Sequence, residues 1–234
     1  MTDDGLGKGT PGRHFFGRRA GKSLTPRQTD LMAHLLPKLA ISLEEPAPVD
    51  LSELFHHKPE EIWLESGFGA GEHLVHRALE NPDVGFIGVE PFRNGMAKAL
   101  TLIEETGAPN IRVYHEEAGP LLDWLPASSL SRFYLLYPDP WPKKRHFKRR
   151  FVTPENLDRI ARVLKAGAPF YFASDIDSYV IWTLEHIANH SAFTWIDADL
   201  EAALTPYAGW PGTRYEEKAI KAGRIPHYLT FRRR

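Results

Sequence analysis

The stretch YPDPWPKKRHFKRR, residues 137–150, joins one acid to a dense run of cations. Asp139 stands between Pro138 and Pro140, and Trp141 follows. Proline fixes its own φ and restricts the residue before it, so the Asp139 carboxylate rides on stiff backbone. Six of the eight residues from Lys143 to Arg150 are Lys or Arg. The reading is that Lys143, Lys144, Arg145, Lys148, Arg149 and Arg150 all contact phosphates, while Trp141 offers a face for stacking a base. A second chemical stretch is LESGFGAGEH, residues 64–73. Gly67, Gly69 and Gly71 allow a tight turn and close approach of a ligand. Glu65 precedes that turn, and Glu90 lies 19 residues beyond Gly71. An acid at that spacing can accept hydrogen bonds from both hydroxyls of a ribose.

Two ligands compete for such a turn. A dinucleotide wants G-x-G-x-x-G, with its pyrophosphate on a helix N-terminus. This chain has G-x-G-x-G, and the Glu65 carboxylate beside it repels a pyrophosphate. The acid suits a ligand carrying an ammonium or a sulfonium, and S-adenosylmethionine carries both. A methyl donor, a rigid carboxylate, an aromatic and a cationic rim together point to methylation of a base in RNA or DNA.

These residues need a scaffold that brings strand ends together. EIWLES, VGFIGVE, IRVYH, RFYLLY and PFYFAS read as apolar strands, alternating with helices through EHLVHRALE, residues 92–106, GPLLDWL, ENLDRIARVLKAG and SYVIWTLEHIANH. Apolar strands alternating with helices predict a doubly wound α/β fold with a mostly parallel, Rossmann-like sheet. FTWI and HYLTF are late strands around a turn-rich segment, which predicts an antiparallel edge. In such folds ligands lie at the carboxyl ends of the strands, where Glu65, Glu90 and Asp139 fall. Thr25-Pro26-Arg27-Gln28 reads as a helix start, with Leu31, Leu35, Leu36 and Leu39 as its apolar face. Residues 1–24 read as a flexible basic arm and residues 25–234 as one domain.

Composition limits the remaining classes. The net charge is −1, yet residues 8–27 hold Lys8, Arg13, Arg18, Arg19, Lys22 and Arg27 with no acid. Cations clustered on a nearly neutral chain predict a local polyanion-binding face. Cysteine is absent, which excludes disulfides and thiolate metal sites. No apolar run approaches a membrane span and no signal-peptide pattern opens the chain, so a cytoplasmic protein without a membrane partner is expected. The pairs His56-His57 and His73/His76 are expected at the surface or partly packed, with no metal site, because no Cys or H-E-x-x-H accompanies them.

Several segments resemble one known family. LESGFGAGEHL, FIGVEPFRNG, NIRVYHEEA, YLLYPDPWPKKRHFKRRFV, FASDID and GTRYEEKAIKAGRIPHYLTF are similar to the bacterial tRNA (guanine-N7)-methyltransferases, and the likeness spans most of the chain. The resemblance implies a Rossmann-like enzyme, dependent on S-adenosylmethionine, that acts on a guanosine in the tRNA variable loop. It implies that Glu65, Gly67, Gly69, Glu90, Glu117 and Asp139 line the cofactor site, with Asp139 the catalytic position. Lys143, Asp175 and Thr213, Arg214, Tyr215 and Glu216 would meet the tRNA. Where the family usually has Asp-Ala, this chain has Glu117-Ala118, and Glu116 beside it competes for the same role. The resemblance adds no metal, and either a monomer or a homodimer is compatible. Asp139 is left with three readings: a base, a charge stabiliser, or a reader of the guanine edge. The rival classes are a dinucleotide-dependent oxidoreductase and a non-catalytic RNA-binding subunit.

Overall fold

A computed structural model describes residues 17–196 and 199–234. Lys8 and Arg13 of the basic arm lie outside the described residues. The strands are β1 (Glu61–Ser66), β2 (Val84–Val89), β3 (Ile111–Tyr114), β4 (Arg132–Leu136), β5 (Pro169–Ser174), β6 (Phe193–Trp195) and β7 (His227–Arg233). The helices are α1 (Pro26–His34), α2 (Leu36–Leu39), α3 (Glu72–Glu80), α4 (Arg93–Thr106), α5 (Ala118–Trp124), α6 (Pro154–Val163), α7 (Asp177–Ala188), α8 (Leu200–Leu204) and α9 (Arg214–Lys221).

The seven strands form one sheet in the order β3-β2-β1-β4-β5-β7-β6. β3 to β5 run parallel, and β7 is antiparallel to both β5 and β6. The predicted α/β fold and its antiparallel edge are therefore present. Alternation along β1 builds both sides of the core. Ile62 and Leu64 face one apolar layer with Leu121, Leu157 and Tyr179, while Trp63 faces the other with Leu74 and Leu100. Chain order reverses at β1, with β2 on one side and β4 on the other. The crevice beyond their carboxyl ends is the ligand position of this topology.

Three local features refine or add to the sequence reading. The predicted first helix is two helices: α1 ends at its cap Leu35, and α2 restarts with Pro37 in its first turn. Proline lacks the N–H that a continuous helix would need there. The Thr25–Gln28 capping box does form, with Thr25 Oγ1 accepting from Gln28 N at 3.2 Å and Gln28 Oε1 accepting from Thr25 N at 3.1 Å. The turn-rich segment before the last strand carries α8 and α9, and β7 sits inside the sheet rather than at its edge. Finally, the end of the basic arm is stitched to α4. Phe92, at the N-cap of α4, offers no side-chain cap, so the amide of Arg93 donates to the Arg19 carbonyl at 2.8 Å. Asn94 bonds Gly21 N and Lys22 O, both at 2.7 Å.

Candidate active site

Glu65 is the penultimate residue of β1 and is 4% exposed. A carboxylate that deep needs partners, and it finds one in His73 on the first turn of α3, with Nδ1 to Oε2 at 2.7 Å. The other ring nitrogen of His73 bonds the hydroxyl of Tyr207, from the segment between α8 and α9. His73 is 3% exposed. The expectation of a surface or partly packed histidine is thus corrected: this ring is a buried hydrogen-bond relay. His76, one turn on, is only partly packed beside Glu80.

The turn after β1 is shaped by what packs on it. Gly67 and Gly69 take φ of 76° and 61°. Gly95, on the first turn of α4, abuts the same turn, and a Cβ there would lie 2.6 Å from the Gly69 carbonyl oxygen. Gly95 is a site residue that sequence reasoning passed over, although FRNG was in view. Nothing local marks that glycine as a close approach, because the backbone it meets lies 26 positions earlier.

Glu90, just beyond β2, is 7% exposed. Its two oxygens accept from Gly69 N at 2.7 Å and Phe92 N at 2.8 Å, which fixes the carboxylate plane against the turn. Burial pushes its carboxyl up to about 7, against the pull of those two amides, and the negative charges of Asp139 and Glu65 add to the rise. Three acids from the ends of β1, β2 and β4 therefore feel one another in a single crevice. That donor set fits a ligand with hydroxyls to donate and a positive charge to place.

Asp139 follows β4 and has no hydrogen-bond or ion-pair partner among the described residues. The residue is open to solvent, yet surrounding protein raises its carboxyl above the ordinary carboxylate range. Its backbone is held from both sides. Tyr137 and Trp141 adopt φ of 50° and 43°, a left-handed conformation that bulky residues rarely accept. Each costs about 1–3 kcal/mol, so the loop is held by its surroundings rather than by local preference.

Arg150 supplies much of that hold. It is 2% exposed and donates to Pro140 O at 2.9 Å, Ser178 O at 2.6 Å and Ser178 Oγ at 2.9 Å. Its guanidinium lies 3.6 Å from the Phe147 ring centroid and 4.8 Å from that of Tyr179. Arg150 is thus a strut between the Asp139 loop and α7, and its reading as a phosphate contact is corrected. The basic run itself forms a 3-10 helix, Lys144–Arg149. Lys143, Lys144, Arg145 and Lys148 are exposed, whereas Arg149 is half-buried, 5.0 Å from the Trp141 ring centroid. Trp141 is also edge-on to His146.

The remaining predicted residues divide into holders and open groups. Thr213 and Glu216 cap α9: Thr213 Oγ1 accepts from Glu216 N at 3.1 Å, and Glu216 Oε2 accepts from Thr213 N at 3.1 Å and Trp210 Nε1 at 2.8 Å. The other Glu216 oxygen accepts from the Tyr228 hydroxyl. The T-x-x-E pattern of a capping box was readable there. The cap places Tyr215 over the glycine turn, stacked on Tyr137 with centroids 6.5 Å apart, with the Arg214 guanidinium 5.4 Å from its ring. Asp175, after β5, is paired with Arg224 at 2.5 Å. Glu117 stands at the N-cap position of α5 and pairs with Arg19 at 3.1 Å, while Glu116 takes the same guanidinium at 2.8 Å. Among the described residues no cluster of three or more His, Asp or Glu has the makings of a metal site, and no helix is long and apolar enough to cross a membrane.

Comparison with known proteins agrees with this geometry. A family model described as "Putative methyltransferase" matches residues 59–228, which takes in every acid of the crevice. Among solved structures, the 16S rRNA methyltransferase KamB superposes with a TM-score of 0.55 at 17% identity, covering 81% of this chain and 95% of its own. The [4+2]-cyclase SpnF superposes with a TM-score of 0.51 at 15% identity, covering 75% of this chain and 76% of its own. Two such different titles on one architecture mean that these likenesses speak for the fold alone. Sequence relatives are far closer. The tRNA (guanine-N(7)-)-methyltransferase of Rhizobium meliloti (strain 1021) is 59% identical over 219 residues, 94% of each chain. That of Agrobacterium fabrum (strain C58 / ATCC 33970) is 55% identical over 234 residues, the full length of both. With an acid-lined crevice at the sheet's switch point and identity of this order along its whole length, the chain belongs to the tRNA (guanine-N(7)-)-methyltransferase family.

Proposed function

We propose that this cytoplasmic enzyme methylates N7 of a guanosine in the tRNA variable loop, using S-adenosylmethionine. The observation that carries the reading is the convergence of Glu65, Glu90 and Asp139 beside an exposed cationic run. S-adenosylmethionine bound in that crevice supplies a methyl group activated by a sulfonium. Glu90 would accept from the ribose hydroxyls with the lone pairs its two amide donors leave free, Glu65 would meet the ammonium, and Glu117 would meet the adenine edge. Gly67 and Gly69 let the backbone come close.

Guanine N7 already carries a lone pair on the major-groove edge, so no side chain has to remove a proton before it attacks. The protein's work is alignment and electrostatics. Asp139 sits beside the purine. There its charge favours the positive charge that the ring acquires, and its oxygens can accept from guanine N1–H and the exocyclic amine. Adenine has no donors arranged that way. Tyr215 and Tyr137 border the entry, and Arg214 with Lys143, Lys144, Arg145 and Lys148 holds phosphates. The test is direct: incubation with labelled S-adenosylmethionine and unmodified tRNA transcript, digestion to nucleosides, and identification of the product. The expected product is 7-methylguanosine at one site in the variable loop. Binding of tRNA without any transfer would favour a non-catalytic RNA-binding protein.

Two further results are expected. The ordinary carboxyl loses its proton near 4.5 in an unfolded chain, but Glu90 loses it near 7 in the fold. Between these values the folded state holds the extra proton, so this group's contribution to stability falls as pH rises from about 4.5 to about 7 and is level beyond. Ligand that needs the ionised carboxylate should bind more tightly as pH rises, approaching about tenfold per pH unit below 7 and flattening above it. Calorimetric titration with S-adenosylmethionine across this range measures the slope, and Glu90→Gln should remove it. A flat wild-type profile would sink this role for Glu90. Binding of tRNA should weaken steeply with salt, while that of S-adenosylmethionine barely changes. Each exposed cation replaced by alanine should lower the salt slope by about 0.7–0.9. Equal salt sensitivity of the two ligands would count against the phosphate rim.

A further inference from the structure

His73 and Tyr207, which run as a buried relay from Glu65, have no part in the chemistry described so far, yet they are polar groups placed where they are costly. His73 Nδ1 lies 2.7 Å from Glu65 Oε2, and both side chains are at least nine-tenths buried. The far ring nitrogen is met by the Tyr207 hydroxyl, 134 positions away in the chain. Burial pushes that hydroxyl upward from its ordinary value, so Tyr207 keeps a proton that it can donate to a neutral imidazole. An imidazole that accepts at Nε2 carries its proton at Nδ1, and that proton points at Glu65. The ring is also wedged by Tyr134 and Trp210, with centroids 5.1 and 5.4 Å away. Trp210 in turn donates to Glu216, the residue that caps α9.

We propose that His73, oriented by Tyr207, is a positioning residue that fixes the Glu65 carboxylate for the ammonium of the methyl donor. The inference rests on the reading of Glu65 as a cofactor contact. One oxygen of Glu65 is tied to the imidazole, which leaves the other, at a set angle, for the ligand. The same relay links the donor site to α9, which carries Tyr215 and Arg214 on the tRNA side.

Calorimetry with three ligands separates positioning from packing. S-adenosylmethionine and S-adenosylhomocysteine both carry the ammonium, whereas 5′-methylthioadenosine lacks the amino-acid portion. His73→Phe keeps the ring volume and removes both hydrogen bonds. It should weaken the first two ligands about tenfold or more and leave methylthioadenosine within about twofold. His73→Asn puts an amide N–H near the place of Nδ1–H and should recover most of the loss. Tyr207→Phe, which spares the His73–Glu65 contact, should cost about threefold, confined to the same two ligands; this variant keeps the test open if His73→Phe does not fold. Equal weakening of all three ligands, or no weakening of any, overturns the proposal. A wild-type protein that binds none of them overturns the cofactor reading and this inference with it. A wild type that binds all three, beside variants that match it, overturns the inference alone.

Discussion

Replacing Asp139 with alanine is expected to lower kcat for tRNA methylation by about 10²–10³-fold, while the protein stays folded and still binds tRNA. The fold should survive because Asp139 holds nothing in place. It has no hydrogen-bond or ion-pair partner among the described residues, and its loop is secured through Pro140 and Arg150 instead. Removing a negative charge from the crevice also takes away one of the lesser causes of the rise at Glu90, while burial, the main cause, is unchanged. Affinity for the donor near pH 6 should therefore change little or even rise, and the loss should fall on kcat. Single-turnover rates with saturating donor and tRNA measure this. Activity within about threefold of wild type would remove Asp139 from the chemistry.

A substrate change then separates the roles open to this acid. Inosine keeps guanine N1–H and N7 but lacks the exocyclic amine. If Asp139 reads the guanine edge, wild type should methylate an inosine-bearing tRNA about tenfold or more slowly, as expected for losing one hydrogen bond to a charged group. Asp139→Ala should then treat the two bases nearly alike. If Asp139 acts through charge only, wild type should not distinguish them, and Asp139→Asn should lose nearly as much as Asp139→Ala.

Arg150→Ala should be the most destabilising change in the basic run, costing about 3–5 kcal/mol in denaturant unfolding. Three acceptors, Pro140 O, Ser178 O and Ser178 Oγ, would lose their donor inside the protein, and the stacking with Phe147 and Tyr179 would be lost. The same change frees Pro140, next to Asp139, so residual folded enzyme should show reduced kcat. Lys148→Ala, two residues away and exposed, should leave stability within about 0.5 kcal/mol and weaken only tRNA binding. If the two variants unfold at the same denaturant concentration, Arg150 is not the strut described here.

That pair of cations marks a boundary in what sequence can say. Arg150 and Lys148 belong to one basic run, and nothing in YPDPWPKKRHFKRR separates them. The difference arises because Arg150 meets Ser178, 28 positions on, at the start of a helix that follows the next strand. His73 is the same case at greater distance, since a histidine in EHLVHR carries no sign of a tyrosine 134 positions later. Gly95 likewise looks like any helical glycine until α4 is laid against the turn at Gly69. Thr213 and Glu216 lie between these cases. Their spacing is a local capping signal, while a role toward tRNA comes from the family resemblance and not from that spacing.

The sequence by itself determined the alternation of strands and helices, since periodic apolar burial is local along the chain. It also determined which acids end which strands, and therefore that Glu65, Glu90 and Asp139 would share one end of the sheet. Only the tertiary structure decided which cation is a strut and which a rim, which histidine is buried, and that β7 lies inside the sheet rather than at its edge. The physical reason is range. Helix and strand preferences are set by neighbours within a few residues. The burial of a charge or an imidazole is set by whichever distant groups the packed fold brings to satisfy it.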